Sequence, residues 1–281
     1  MDRLPLLFVD DVCHQLQLDS FKQVSQLSRG WSGFGAAHGE KRRELVFSCV
    51  VDDKKGGYWI TDKKKKTFAG MTVADLNMNF DRIRSVTLTT VTGFLGQGVP
   101  LYVLERDVLP RVASIVTNCL KWPGSQNPFF FNAFKNCPGF NNITVKEHDE
   151  ESHDFVARQV ELGNVQVLHL NARESVQWPE LAETLRTFVN SARFYQLTYR
   201  GGSFPDLVEL YALFLERALA GELKPFSFIS VNNIANAAID GMSSLRPELR
   251  DDSKEIAWRN PNSIRRVLLQ RLGALLIIKV E

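Results

Sequence analysis

The chain has 281 residues, 44% hydrophobic and 23% charged, enough to bury a sizeable core in one or two domains, which excludes a disordered polymer. A formal charge of +2, evenly spread, excludes nucleic acid or an anionic membrane as the main partner. The four cysteines, Cys13, Cys49, Cys119 and Cys137, form no CxxC pair and sit among apolar residues, so they read as reduced thiols of a cytoplasmic or nuclear protein.

The segment 4–31, LPLLFVDDVCHQLQLDSFKQVSQLSRGW, runs straight from LPLLFV into Asp10-Asp11 and so does not read as a secretory signal. Leu4-Pro5 opens a helix, since the missing N–H of a proline in the first turn would have had no helical partner. Phe8, Val9, Val12, Cys13 and Leu16 recur at helical steps on one face, with Asp10, Asp11, His14 and Gln15 on the other. Asp19 or Ser20 is placed to cap a second helix, in which Phe21, Val24, Leu27 and Trp31 keep the period and Gly30 loosens the end. Two short helices cannot bury both apolar faces against each other, so a partner or the rest of the chain must cover them.

These residues resemble an F-box: the Leu-Pro start, the apolar positions of both helices, Arg29 and the closing Trp31 fall in register without gaps. The chain departs from that family at Asp11 and Gln15, where aliphatic or basic residues are frequent, and at Leu18, where proline is frequent. F-box helices dock on a Skp-type adaptor, which joins them to a cullin-based (SCF) ubiquitin ligase. The resemblance therefore implies a non-catalytic substrate-recognition subunit without cofactor or metal. Its adaptor-binding positions here are Leu4, Pro5, Phe8, Val9, Val12, Leu16, Phe21, Val24, Leu27 and Trp31. The alternative is a scaffold or interaction protein whose first helices only cap the domain that follows.

After Trp31, SGFGAAHGEKRR reads as a helix end and surface connection, which puts the boundary between an F-box-like segment, 1–43, and a second domain, 44–281. Residues 45–51 and 58–61 read as a β-hairpin, with Gly56 and Gly57 supplying positive backbone angles in the turn. The lysine run 63–66 reads as a solvated loop tip, 82–89 as a strand, and the glycines Gly93, Gly96 and Gly98 as a loop without nucleotide-binding spacing. Leu104, Val108, Val112, Ile115, Val116 and Leu120 predict a helix over 101–120, whole or in two pieces around Pro110. Phe129, Phe130, Phe131 and Phe134 read as core before pocket.

From residue 143 the pattern is α/β: strands over 143–146, 165–170, 194–199 and 226–231 alternate with amphipathic helices. Such spacing forces parallel pairing with right-handed crossovers. Either a doubly wound sheet or an irregular leucine-rich-repeat-like arc satisfies it, and similar unit lengths favour the arc, with His169, Gln196 and Ser227 on its uncovered face. A helix over 234–245, a strand over 256–258 and a basic amphipathic helix over 264–272 close the end. No tract approaches the roughly 20 apolar residues of a membrane helix. This half is similar, more loosely, to the F-box-associated domains of nematode F-box families, most of all at Trp178, Phe188-Val189 and 194–197.

The acidic cluster around His148 and His153 reads as a charged helix start, with Ser152 a cap, before it reads as a metal site. No nucleophile elbow, HExxH pair or kinase signature occurs, and Cys13 lies on the apolar face beside His14, so no catalysis is expected.

Overall fold

The computed structural model describes residues 5–16, 20–27, 29–51, 55–62, 71–89, 97–122, 128–172, 179–201, 207–232, 250–251, 256–259, 266–272 and 275–281. Leu4, Asp19, the lysine run 63–66, Gly93, Gly96, Trp178 and the helix expected over 234–245 lie outside them. The chain divides into two mixed α/β units, Met1–Cys119 and Leu120–Glu281.

The first unit begins with α1 (Leu6–Gln15), α2 (Phe21–Val24) and α3 (Arg29–Lys41). Pro5 stands ahead of α1, its carbonyl accepting from the N–H groups of Phe8 and Val9 at 3.0 and 3.2 Å. The expected second helix is cut short at Val24, and Ser20 makes no side-chain cap bond. Trp31 belongs to α3, which runs straight through the glycine-rich stretch expected to be a surface connection. Gly35 explains the reversal. A Cβ there would lie 2.9 Å from Val24 Cγ1 and 3.0 Å from the Ser25 nitrogen, so α3 crosses the end of α2 at contact, and packing overrides glycine's poor helix propensity.

In this unit the sheet order is β4-β2-β1-β3, with β1 (Glu44–Val51), β2 (Lys55–Asp62), β3 (Arg82–Thr89) and β4 (Gln97–Pro100). β1 pairs antiparallel with β2 and parallel with β3. The hairpin is as expected, but Gly56 and Gly57 are strand residues, and among the described residues the positive-φ glycines are Gly163 and Gly221. Gly56 serves close approach instead: a Cβ would lie 2.7 Å from Leu104 Cδ2. The helix expected over 101–120 ends early. α4 (Leu101–Val103), a π turn (Leu104–Val108) and α5 (Leu109–Ser114), with Pro110 in its first turn, give way to β5 (Val116–Trp122). The Ile115 carbonyl accepts from Ile83 N–H at 2.9 Å, so strand pairing takes over where the β-branched residues begin.

The second unit has α6 (Pro128–Phe134) and then strand and helix in alternation: β6 (Asn142–His148), α7 (Glu150–Glu161), β7 (Val167–Ala172), α8 (Pro179–Asn190), β8 (Gln196–Arg200), α9 (Leu207–Leu219) and β9 (Phe228–Asn232). Its strand order is β6-β7-β8-β9-β13-β12-β11-β10, completed by β10 (Arg250–Asp251), β11 (Ile256–Arg259), β12 (Arg266–Leu272) and β13 (Leu275–Val280). β6 to β9 pair in parallel in chain order, without the order reversal of a doubly wound sheet, and the run β9-β13-β12-β11-β10 is antiparallel throughout.

Each parallel strand carries one motif: Phe140-x-x-Ile143-x-Val145, Val165-x-x-Leu168-x-Leu170, Phe194-x-x-Leu197-x-Tyr199 and Phe226-x-x-Ile229-x-Val231. The first three motifs are buried throughout. The leading residue lies ahead of the strand, which is why expected strands began too early at 165, 194 and 226. A backbone ladder joins the lead-ins: Gln166 N–H donates to the Asn141 carbonyl, Tyr195 N–H to that of Gln166, and Phe228 N–H to that of Tyr195. The fourth motif departs. Phe226, with φ at 64° and 71% exposed, turns out, and its N–H donates to the Val280 carbonyl of β13.

α7 packs beside α8 and α8 beside α9. Phe155 of α7 meets Phe140, and Phe188 of α8 and Phe214 of α9 meet Phe194, so the helices cover the buried face. Trp122 and Phe130 join this aromatic core, as expected of the phenylalanine-rich segment. The basic amphipathic helix expected over 264–272 is instead strand β12 from residue 266 on, where Val267 to Leu272 pair antiparallel with Leu275 to Val280 of β13; residues 264 and 265 lie outside the described ones.

Candidate docking site on the N-terminal helices

α1 carries two apolar stripes. Val9, Cys13 and Leu16 step along one and turn inward, meeting Phe21 and Val24 of α2, with Trp31 and Phe34 of α3 packed against them. Pro5, Phe8 and Val12 step along the other: Pro5 is exposed, Phe8 is 49% exposed and Val12 is half-buried. Leu27, beyond α2, is 48% exposed. Of the expected adaptor-binding positions, Val9, Phe21 and Val24 are therefore core, Leu16 and Trp31 flank the core, and Pro5, Phe8, Val12 and Leu27 reach solvent.

A polar clamp, unread in the sequence, holds the inner stripe. Asp10 Oδ1 and His38 Nε2 are 2.9 Å apart, and the buried His38 ring stacks on Phe21 at 5.6 Å and meets Phe80 edge-on at 5.2 Å. Arg42 donates to the Cys13 carbonyl at 3.1 Å and lies over the Phe21 ring. Lys41 Nζ lies over the Phe80 ring, 5.4 Å from its centroid. Arg43 makes a bidentate pair with the buried Asp81, at 2.7 and 2.5 Å, fixing the end of α3 to the segment that leads into β3. Burial raises the pKa of the Cys13 thiol, and the neighbouring Asp10 charge adds to it, so Cys13 packs as a protonated thiol. The signal for this clamp was the helical step through Trp31, Phe34, His38 and Arg42, masked by the interleaved glycines.

The second unit presents a different surface. The side of β6 to β9 opposite the helices carries Asn142, Val167, Gln196 and Phe228 in one row, and Thr144, His169, Thr198 and Ser230 in the next. All are half-buried except the buried Ser230. The expected His169 and Gln196 lie here, whereas Ser227 is fully buried ahead of β9. Burial lowers the His169 pKa first, and the positive charge of Arg200 lowers it further.

The His148 cluster resolves into a helix start. Asp149, not Ser152, caps α7: Ser152 N–H donates to Asp149 Oδ1 at 2.9 Å, and Ser152 Oγ accepts from Asp149 N–H at 2.8 Å. His148 Nδ1 lies 3.1 Å from Ser152 Oγ, and burial, with the nearby His153, pushes the His148 pKa down to about 3. Among the described residues no group of His, Cys, Asp and Glu converges as a metal site. No described helix is long and apolar enough to cross a membrane. No family model, curated protein or solved structure matches the chain.

Proposed function

We propose that this chain is the substrate-recognition subunit of a cullin-type ubiquitin ligase. Its N-terminal helices act as an F-box that docks on a Skp-type adaptor, and its second unit, an irregular leucine-rich-repeat-like arc, holds a target protein. The observation that carries the reading is the outward stripe of Pro5, Phe8 and half-buried Val12, together with exposed Leu27 beyond α2: apolar side chains that reach solvent on helices whose other stripe is already packed. The repeated apolar-x-x-apolar-x-apolar motif, sequential strand order and one-sided helices support the arc. In this reading the subunit performs no chemistry, needs no cofactor and works in the cytoplasm or nucleus.

Co-expression with a Skp-type adaptor tests it. The full chain retains the adaptor on purification, and the Phe8→Asp, Leu27→Asp double variant loses it by at least about thirtyfold in affinity, the effect of removing an interface hot spot. A wild-type chain that retains no adaptor overturns the proposal. The contacts of His38 and Lys41 with Phe80 favour a second reading, in which α1 to α3 cap the first unit of a scaffold protein. That reading expects deletion of residues 1–43 to leave the remainder insoluble, with no adaptor bound to the full chain.

A further inference from the structure

The side of β6 to β8 opposite the helices holds a cleft of about 220 Å³ whose lining includes Thr144, Lys146, His169, Asn171, Thr198 and Arg200. None of the described residues that line it is acidic, in a chain whose charges otherwise nearly balance at +2. Lys146 and Arg200 are exposed; Asn171 pairs with Arg200 across β7 and β8, and Lys146 sits in the irregular step between Val145 and His148 on the other side of β7. The hydroxyls of Thr144 and Thr198 flank His169 in the adjoining row.

We propose that this face binds an acidic polypeptide segment, the Asp and Glu side chains of a target protein lying along Lys146, His169 and Arg200. The proposal deepens the reading above, on which it rests for the target being a protein. Charge complementarity selects the occupant: cations and neutral donors converge on the cleft, and a carboxylate accepts from both kinds. Spacing selects a distributed charge over a single compact anion. Lys146 and Arg200 stand on strands two apart, roughly 10 Å at about 4.8 Å per strand, which matches carboxylates about three residues apart on an extended chain at about 3.3 Å per residue. Burial is the chief cause of the lowered His169 pKa, and the positive charge of Arg200 lowers it further, so Arg200 lies close enough to act on the His169 ring.

The test uses the purified full chain, without adaptor, and a fluorescein-labelled oligoglutamate peptide read by anisotropy. Wild type binds. The Lys146→Glu, Arg200→Glu double variant, both positions being exposed, binds at least about tenfold more weakly, whereas Lys224→Glu, an exposed cation elsewhere, changes affinity less than about twofold. No binding by wild type, an unchanged double variant, an equal loss in Lys224→Glu, or tighter binding of oligothymidylate than of oligoglutamate each overturns the proposal. Adaptor retention is measured separately on the same variants. Oligoglutamate binding by a chain that retains no adaptor leaves this inference standing and removes the ligase reading; the reverse result does the opposite.

Discussion

Phe8 and Phe21 are the same side chain in opposite environments, 49% and 3% exposed. Phe21 carries the His38 ring on one face and the Arg42 guanidinium within 5.2 Å, so its loss empties the centre of the helical cluster. Phe21→Ala is expected to cost about 3 kcal/mol in urea unfolding, in the range for a buried aromatic, and Phe8→Ala less than about 0.5 kcal/mol. Comparable losses at the two positions would make Phe8 a core residue and remove the outward stripe. Both phenylalanines were legible as apolar helix positions. Which stripe faces inward was not, because α1 repeats its period on two sides and α2 and α3 choose between them.

At the scale of elements, glycine gives the sharpest contrast. Gly35 and Gly33 occupy the same helix. A side chain at Gly35 meets Val24 and the Ser25 backbone, whereas at Gly33 a Cβ would meet nothing within 4 Å. Gly35→Ala is expected to destabilise the first unit by about 1–3 kcal/mol, and Gly33→Ala to stabilise it by up to about 1 kcal/mol, compared by thermal unfolding. A gain at both sites would mean that α2 and α3 do not cross at contact. The other reversals have kindred causes. Residues 264–272 satisfy a helical period as well as a strand's, and pairing of β12 with β13 along Val267↔Val280 decided between them. Residues 116–120 continue the apolar positions of the preceding helix, yet Ile83 and Ile115 draw them into a sheet.

For the whole molecule, three histidines with lowered pKa values are expected to shape the response to acid. His148, His153 and His169, three of the five histidines, have lowered pKa values, each chiefly through burial. The unfolded chain protonates its histidines near pH 6.5, while folded His148 resists protonation until about pH 3. Between these values the unfolded state binds more protons, so stability is full above the unfolded pKa and falls as pH falls. His148 alone contributes a slope of about 1.4 kcal/mol per pH unit below roughly pH 6. Urea midpoints between about pH 7 and pH 5 measure it, and His148→Gln should flatten the slope. An unchanged slope in that variant would move the acid sensitivity to other groups.

The amino-acid sequence by itself determined that the chain starts with apolar helical periods and that its second half alternates strand with helix, because both patterns reside in steps of two to four neighbouring residues. It also carried the strand motif of Phe140, Val165 and Phe194, legible once the buried lead-in residue is counted with its strand. Tertiary structure alone decided which side of β6 to β9 the helices cover, which stripe of α1 remains in water, and that Lys146, His169 and Arg200 share one cleft. Those outcomes depend on contacts between residues tens of positions apart, such as Asp10 with His38 and Arg43 with Asp81, and no local period encodes which distant partner will be there.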